Sequence, residues 1–278
     1  MDSLSNNGQS IAAAKTSQKS VLKWIFKALF YPLTHGLSVI RTAFFNIKYF
    51  PISVAVKLPV FIYRGVRLKC TKGSIELNFQ TIKPGCIRIG KESYGFQTRH
   101  HTTIWEQKGG TVILGKEINI GKGTFISVGR FGMLRFGNHI HIGGNMKIIC
   151  NKSITIGDHT MVAWDVQIID TDYHSTINTV FNTKNIVEKP IMIGSNNWLG
   201  FGSTILKGTV TPDYCIIAAK TILKDDYSDA GENIILSLET TAKVTAKYIR
   251  VDKNHVIESS EWEEIDNLIN VRNKRRAK

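Results

Sequence analysis

The sequence is poor in several things that would classify a protein at once. Its four cysteines (Cys70, Cys86, Cys150 and Cys215) never come closer than sixteen residues, which excludes a CxxC zinc or redox site and speaks against a disulfide scaffold. A reducing cytosol suits such a chain. No run of eighteen uncharged apolar residues occurs, so nothing reads as a membrane-spanning helix. The longest apolar stretch near the start, Ala28 to Ile40, is broken by Pro32, His35 and Gly36 and carries no signal-peptide cleavage site. Acids are nearly missing from residues 1–72, where eleven basic side chains face only Asp2, a local charge of +10 out of a total of +14. A second basic cluster, Arg272, Lys274, Arg275, Arg276 and Lys278, closes the chain. Such fields favour anionic partners: lipid, phosphorylated glycan or nucleic acid.

What the chain does have is 42% hydrophobic and 9% aromatic residues, enough for a buried core in 278 residues. Residues 1–18 are polar, without apolar period, and read as a flexible lead-in. Residues 19–72 read as a basic helical segment. Leu22, Ile25, Phe26, Leu29, Phe30 and Leu33 fall at helical spacing with Lys23 and Lys27 off the stripe, and Leu37 to Ile47 repeats the theme. Two readings stand for it: packing on the main domain, or an interfacial anchor with lysines on lipid phosphates.

The decisive signal lies in the middle. Ile193, Leu199, Ile205, Thr211, Ile217 and Leu223 recur at strict six-residue intervals, and small or modest residues (Asn197, Ser203, Thr209, Cys215, Thr221) stand four places after the first five. The phrase recurs earlier as Leu114-Gly115, Ile120-Gly121, Ile126-Ser127, Ile142-Gly143, Ile156-Gly157, Val162-Ala163 and Ile168, with slips between Ile126 and Ile142 and near Asn151 that mark altered corners. A period of six fits neither an α-helix nor a long flat strand. It suits a coil of three short sides and eighteen residues, whose aliphatics stack in a narrow axial core, with glycine relieving the backbone at the turns. The predicted fold is therefore mainly β, a parallel β-helix over 73–236. A C-terminal extension, 237–278, follows, with a helix from Ser260 to Arg276 opened by the Ser260–Glu263 capping pair.

The repeat is interrupted once, after Ile168-Ile169-Asp170-Thr171-Asp172-Tyr173-His174-Ser175, by a polar loop over 175–189. Loops thrown out of a solenoid cost little closure entropy and commonly carry function.

The hexad pattern resembles the hexapeptide-repeat acyltransferases, and the phrase from Trp164-Asp165-Val166-Gln167 to Asp172-Tyr173-His174-Ser175 is similar to that of bacterial capsule and lipopolysaccharide O-acetyltransferases. The resemblance implies a left-handed coil, acetyl-coenzyme A as co-substrate, a homotrimer, and a glycan or glycolipid acceptor. It makes His174 the general base, with Asp172, Asp170 or a backbone carbonyl as its orienting partner. Tyr173, Trp164 and Trp198 become candidate acceptor contacts, Trp198 alternatively packing on a neighbouring subunit. Gly200, Gly202, Ser203, Ala218 and Ala219 become backbone contacts for the pantetheine arm, and Lys220 and Lys224 candidates for the coenzyme phosphates or solvated lysines. One departure is that Leu238-Glu239-Thr240-Thr241-Ala242-Lys243-Val244 lacks the Gly and Pro usual after the repeats.

Three rivals remain. A three-histidine zinc site, as in β-helical carbonic anhydrases, fits poorly: His139, His159 and His174 are spaced by 20 and 15 residues, neither a multiple of eighteen, so no metal is expected. A fused sugar nucleotidyltransferase would need a Gly-rich segment in the first hundred residues, and none is there. A basic non-catalytic module binding nucleic acid lacks a recognition motif. The expectation is an O-acetyltransferase acting on a bacterial surface glycan or its precursor, cytoplasmic or peripheral at the inner face of an anionic membrane and without a nucleic-acid partner. N-acetylation of an amino sugar or of a xenobiotic stands as the alternative.

Overall fold

A computed structural model describes residues 36–92, 97, 100–178, 183–238 and 242–246. The chain divides into two compact units, Ile40–His255, and Met1–Val39 with Val256–Lys278. The fold described here is that of the first. The lead-in 1–18, the amphipathic stretch from Leu22 to Leu33 and the C-terminal helix expected at 260–276 lie outside the described residues.

Short strands stack in parallel into a three-sided β-helix. One face is a nine-stranded sheet running from Val60–Ile62 through Ile87–Lys91, Ile118–Gly121, Ile140–Ile142, Met161–Val162, Trp198–Leu199 and Cys215–Ile217 to Ile234–Leu238, closed by the antiparallel Ala242–Ala246. The second face holds Phe125–Val128, Lys147–Cys150, Gln167–Ile169, Thr204–Leu206 and Ile222–Leu223, and the third Met133–Phe136, Ser153–Ile156 and Ile191–Ile193. The long strand Thr103–Leu114 joins these two faces: its first half pairs with Phe125–Val128 and its second with Met133–Phe136. Ile120, Ile142, Val162, Leu199 and Ile217 form one buried column, and Ile126, Ile148, Ile168, Ile205 and Leu223 another. The small residues four places on, Asn197, Ser203, Thr209, Cys215 and Thr221, are fully buried as the hexad predicts. Asn197 ties its corner to the next coil: its amide donates to Thr211 Oγ1 at 2.7 Å and its oxygen accepts the Cys215 N–H at 2.7 Å. All four cysteines are free, and burial pushes the Cys86 thiol up to about 11 and that of Cys215 up to about 12.

Two expectations need correction. Sheet begins at Val60, not after residue 72, because Val60-Phe61-Ile62 is a fully buried β-branched and aromatic triplet that pairs with Ile87–Ile89. Helix is confined to Val39–Tyr49 and Ile52–Ala55 in the described part of that segment. The glycines that follow the aliphatics also do not relieve a strained turn. The left-handed residue at the corners falls three places after the aliphatic, and it is glycine at Gly123, Gly202 and Gly208 but not along the edge between the third and first faces. Glu117, His139, His159, Asn196, Tyr214 and Asn233 occupy it along one edge with φ between 54° and 58°. Asn and His are among the side chains that tolerate this region best, and His139 and His159 stack there at 4.6 Å. Glycine one place after the aliphatic is required by close approach instead: a Cβ on Gly121 would lie 2.4 Å from the Gly143 carbonyl oxygen of the next coil.

Coil length obeys a simple rule. Trp198 pairs with Ile216 and Thr204 with Ile222, eighteen residues on, while the coil from Phe125 to Lys147 takes 22 and that from Lys147 to Gln167 takes 20. Two of the three edges are turned in six residues on these coils, as from Ile142 to Ile148 and from Ile156 to Val162. The edge between the second and third faces absorbs the excess. It takes ten residues from Ile126 to Phe136, eight from Ile148 to Ile156, twenty-five from Ile168 to Ile193, and six again from Ile205 to Thr211. The register slips in the sequence are these enlarged corners.

Because Gly121 meets backbone, which cannot swing aside, Gly121→Ala is expected to destabilise the fold by about 1–3 kcal/mol. A thermal unfolding midpoint unchanged from the parent protein would contradict the close approach.

Candidate active site

The largest excursion on the enlarged edge is a hydrogen-bonded ribbon that leaves the coil after Asp170 and returns at Lys189. Lys189 N–H donates to Asp170 O at 3.1 Å, Asp172 N–H to Val187 O at 2.9 Å, and Asn185 N–H to Thr176 O at 3.0 Å. Thr171 bridges Glu188, and Ile177–Asn178 pairs antiparallel with Thr183–Lys184. The loop expected to begin at residue 175 thus begins four residues earlier, at Thr171, and His174 sits in its base with an exposed ring.

Neither aspartate is given to His174. Asp170 is fully buried and fastens the adjoining corner: Oδ1 accepts the Asn151 N–H, and Oδ2 those of Lys152 and Ser153, each at 2.8 Å. Burial outweighs these bonds and pushes its carboxyl above the ordinary value. Stability from this group therefore grows as pH falls through its raised pKa and is lost as pH rises through it. Asp172 is held by Lys207 in an ion pair and accepts a 3.1 Å hydrogen bond from Asn185 Nδ2. The expectation that residues two apart on an extended segment face one side fails because Tyr173 between them is left-handed, at φ 59°. Its N–H donates to Thr171 Oγ1 at 3.0 Å, which fixes the kink. Among the described residues none bonds to the His174 ring.

Tyr173 presents a half-exposed phenol whose ionisation is pushed up, first by burial. Lys108, Asp170, Glu106 and Glu188 make up its charged surroundings. Glu106 accepts from Ser127 Oγ at 2.8 Å and pairs with Lys108 at 3.2 Å, and these interactions hold its carboxyl below the ordinary value against desolvation. Lys108, Arg130 and Lys152 follow one another, exposed, along the enlarged edge.

The other foreseen contacts gather elsewhere. Trp164 packs on Phe201 at 5.5 Å, and Lys220 Nζ stands 4.3 Å over the Phe201 ring, at the edge between the first and second faces. Gly200, Gly202, Ala218 and Ala219 line that same edge, and Trp198 is exposed on the first face beside it. The N–H groups of Gly200, Gly202, Ser203 and Ala218 are spent on the solenoid's own ladder, bonding to Ile217, Trp164, Gly200 and Leu236 carbonyls, and the Ser203 side chain is sealed in the core. Lys224 is exposed at the far end of strand Ile222–Leu223 from Lys220, on the ribbon's edge, so the two lysines do not converge. The residues missed by sequence reasoning are Phe201, Asn185 and Lys207. Lys207 carried a readable signal: Ile205 stacks on Ile168, so two places on it stands above Asp170. Among the described residues no cluster of three or more His, Cys, Asp or Glu side chains could hold a metal.

No family model matches the chain. It is similar to a Mycobacterium tuberculosis protein named a probable acetyltransferase, at 27% identity over 158 residues, 55% of this chain and 51% of that one. It is similar also to WbbJ of Escherichia coli K12, named for lipopolysaccharide biosynthesis O-acetyl transfer, at 25% identity over 162 residues, 55% of this chain and 77% of that one. A solved structure, that of the polysialic-acid-specific acetyltransferase NeuO, aligns with a TM-score of 0.48 and 18% identity over 75% of this chain and 80% of that one. The match takes in about half the length of the mycobacterial relative.

Asp170 offers two oxygens to three N–H donors, and an amide offers one. Asp170→Asn should cost about 1–3 kcal/mol of stability, read by urea denaturation at pH 7. An unaltered transition midpoint would remove the carboxylate from its fastening role.

Proposed function

We propose that the chain is an acetyltransferase that moves an acetyl group from acetyl-coenzyme A to a hydroxyl of a bacterial surface glycan or its precursor, with His174 as general base. What carries the reading is the placing of one exposed imidazole in the hydrogen-bonded base of a ribbon, on the enlarged edge of a hexad solenoid. The curated relatives, named as acetyltransferases, support it. An alcohol is a poor nucleophile at neutral pH, whereas a thioester is already activated. The base takes the hydroxyl proton as the oxygen attacks the thioester carbonyl, and a backbone N–H meets the developing oxyanion. Collapse of the tetrahedral species breaks the carbon–sulfur bond, and the departing thiolate receives the proton from the imidazolium. No covalent enzyme intermediate is needed.

Within one chain the aromatic and lysine corner of Trp164, Phe201 and Lys220 lies on a different edge from His174. A homotrimer in which a neighbour's corner faces the ribbon would unite them, and it is the assembly proposed here. Exposed Lys108, Arg130 and Lys152 beside the ribbon suit an anionic acceptor. The long acid-poor stretch at the start suits an acceptor held at the inner face of a membrane.

Removing a positioned base costs roughly 10²–10⁴ in rate, so His174→Ala should lose acetyl transfer by that factor while keeping the parent's circular dichroism spectrum. Transfer is read by mass spectrometry against a panel of neutral, anionic and amino glycans. Transfer to an amine alone would favour the N-acetyl alternative, and near-parental transfer by the variant would remove His174 from the mechanism.

A further inference from the structure

The helix Val39–Tyr49 is inside out. Its buried side carries Thr42, Phe45 and Asn46. Asn46 Nδ2 donates to Val60 O at 2.7 Å while its oxygen accepts the Val60 N–H at 3.2 Å. Thr42 Oγ1 accepts the Ile62 N–H at 3.0 Å, and Phe45 meets Trp105 edge-on at 5.6 Å. These contacts explain the polar residues on the inner side: strand Val60–Ile62 is the first of its sheet, and its open edge needs partners. The helix therefore caps the lower end of the solenoid.

An end cap of a soluble solenoid should turn a polar face outward. This one turns out Ile40 (84% exposed), Phe44 (49%) and Ile47 (66%), four and three residues apart on one stripe, and the next turn adds Ile52 (71%) and Val56 (67%). Arg41 and Lys48, seven apart, run along the flank of the stripe, and Lys57 follows, all exposed. After Asp2 the chain holds no acid until Glu76. A second copy of the same surface would bring like charges together, whereas an anionic bilayer satisfies both features at once. Aliphatic and aromatic side chains enter the acyl boundary and the cations meet headgroup phosphates.

We propose that this end of the solenoid, built by Ile40, Phe44, Ile47, Ile52 and Val56 within a rim of Arg41, Lys48 and Lys57, docks the protein on an anionic lipid surface. The inference rests on the membrane part of the proposed function and is independent of acetyl transfer. The solenoid axis then stands away from the bilayer, with its lowest coils nearest the lipid.

The full chain is tested by flotation with vesicles of phosphatidylglycerol and phosphatidylcholine, and with phosphatidylcholine alone. The parent protein should float with the anionic vesicles and much less with the neutral ones. Ile40→Asp/Phe44→Asp/Ile47→Asp should lower anionic-vesicle affinity by about tenfold or more, and Arg41→Gln/Lys48→Gln/Lys57→Gln should remove most of the salt dependence. Because the three apolar positions are exposed, the melting temperature of the triple-Asp protein should stay at the parent value. A parent that binds with the triple-Asp protein binding equally would overturn this surface while leaving membrane association standing. A parent that fails to float would overturn both. If the triple-Asp change instead shifts the sedimentation coefficient and spares flotation, the face joins copies of the chain and the lipid assignment falls.

Discussion

The structure depends on how closely one coil approaches the next. Parallel strands sit at a spacing of roughly 4.8 Å, and at the corners even the peptide planes come within reach of one another. Gly121 shows how little room remains, its missing Cβ position lying 2.4 Å from the backbone of the coil above. That stacking selects glycine or alanine after the stacked apolar residues of the first and third faces, as after Ile120, Ile142, Val162, Leu199 and Ile217. It spends the N–H groups of the corners on carbonyls of the coils on either side, as Gly137 on Ile156 and His159 on Asn138, and it leaves a narrow axial core filled mainly by columns of branched side chains. Aspartate side chains at the corners reinforce the ladder from outside: Asp158 accepts the Asn138 N–H at 2.8 Å, and Asp213 that of Ser195 at 2.7 Å.

A scaffold held that tightly can vary only where a corner is released from the count of six. Between Ile104 and Leu223 the release falls on one edge, between the second and third faces, and its largest excursion is the ribbon that bears His174. The ribbon is positioned by bonds that a free loop would lack. Asp170 anchors its root to the preceding coil and Lys207 reaches down from the following one to Asp172 and to the Ile186 carbonyl. The carboxylates beside the histidine thus bond to the ribbon and its neighbouring coils, Asp170 buried under the preceding corner and Asp172 turned by the kinked backbone to Lys207 and Asn185.

Much of this was legible in the residues. Six-residue spacing from Ile193 to Leu223 is enough to name a three-sided coil, because no helix or flat sheet keeps that period, and the slips near Ile126 and Asn151 do fall on real corners. The interruption after Ile168 marked the ribbon. What could not be read was anything set by a single dihedral angle or by a register across coils. A left-handed Tyr173 undoes the alternation that paired Asp172 with His174. Strand Val60–Ile62 is too short for periodicity to separate it from the helices before it. Phe201 joins Trp164 and Lys220, 37 residues before it and nineteen after, only because the stacking of the coils brings them to one corner.

The account stands or falls on whether the exposed ring of His174 is the group whose proton handling drives transfer. Carbethoxylation of histidines, followed residue by residue by peptide mass spectrometry while acetyl transfer is monitored, tests this directly. The predicted result is that activity falls in step with modification of His174, and that coenzyme A together with an acceptor glycan slows both. Full modification of His174 with transfer intact would contradict the account.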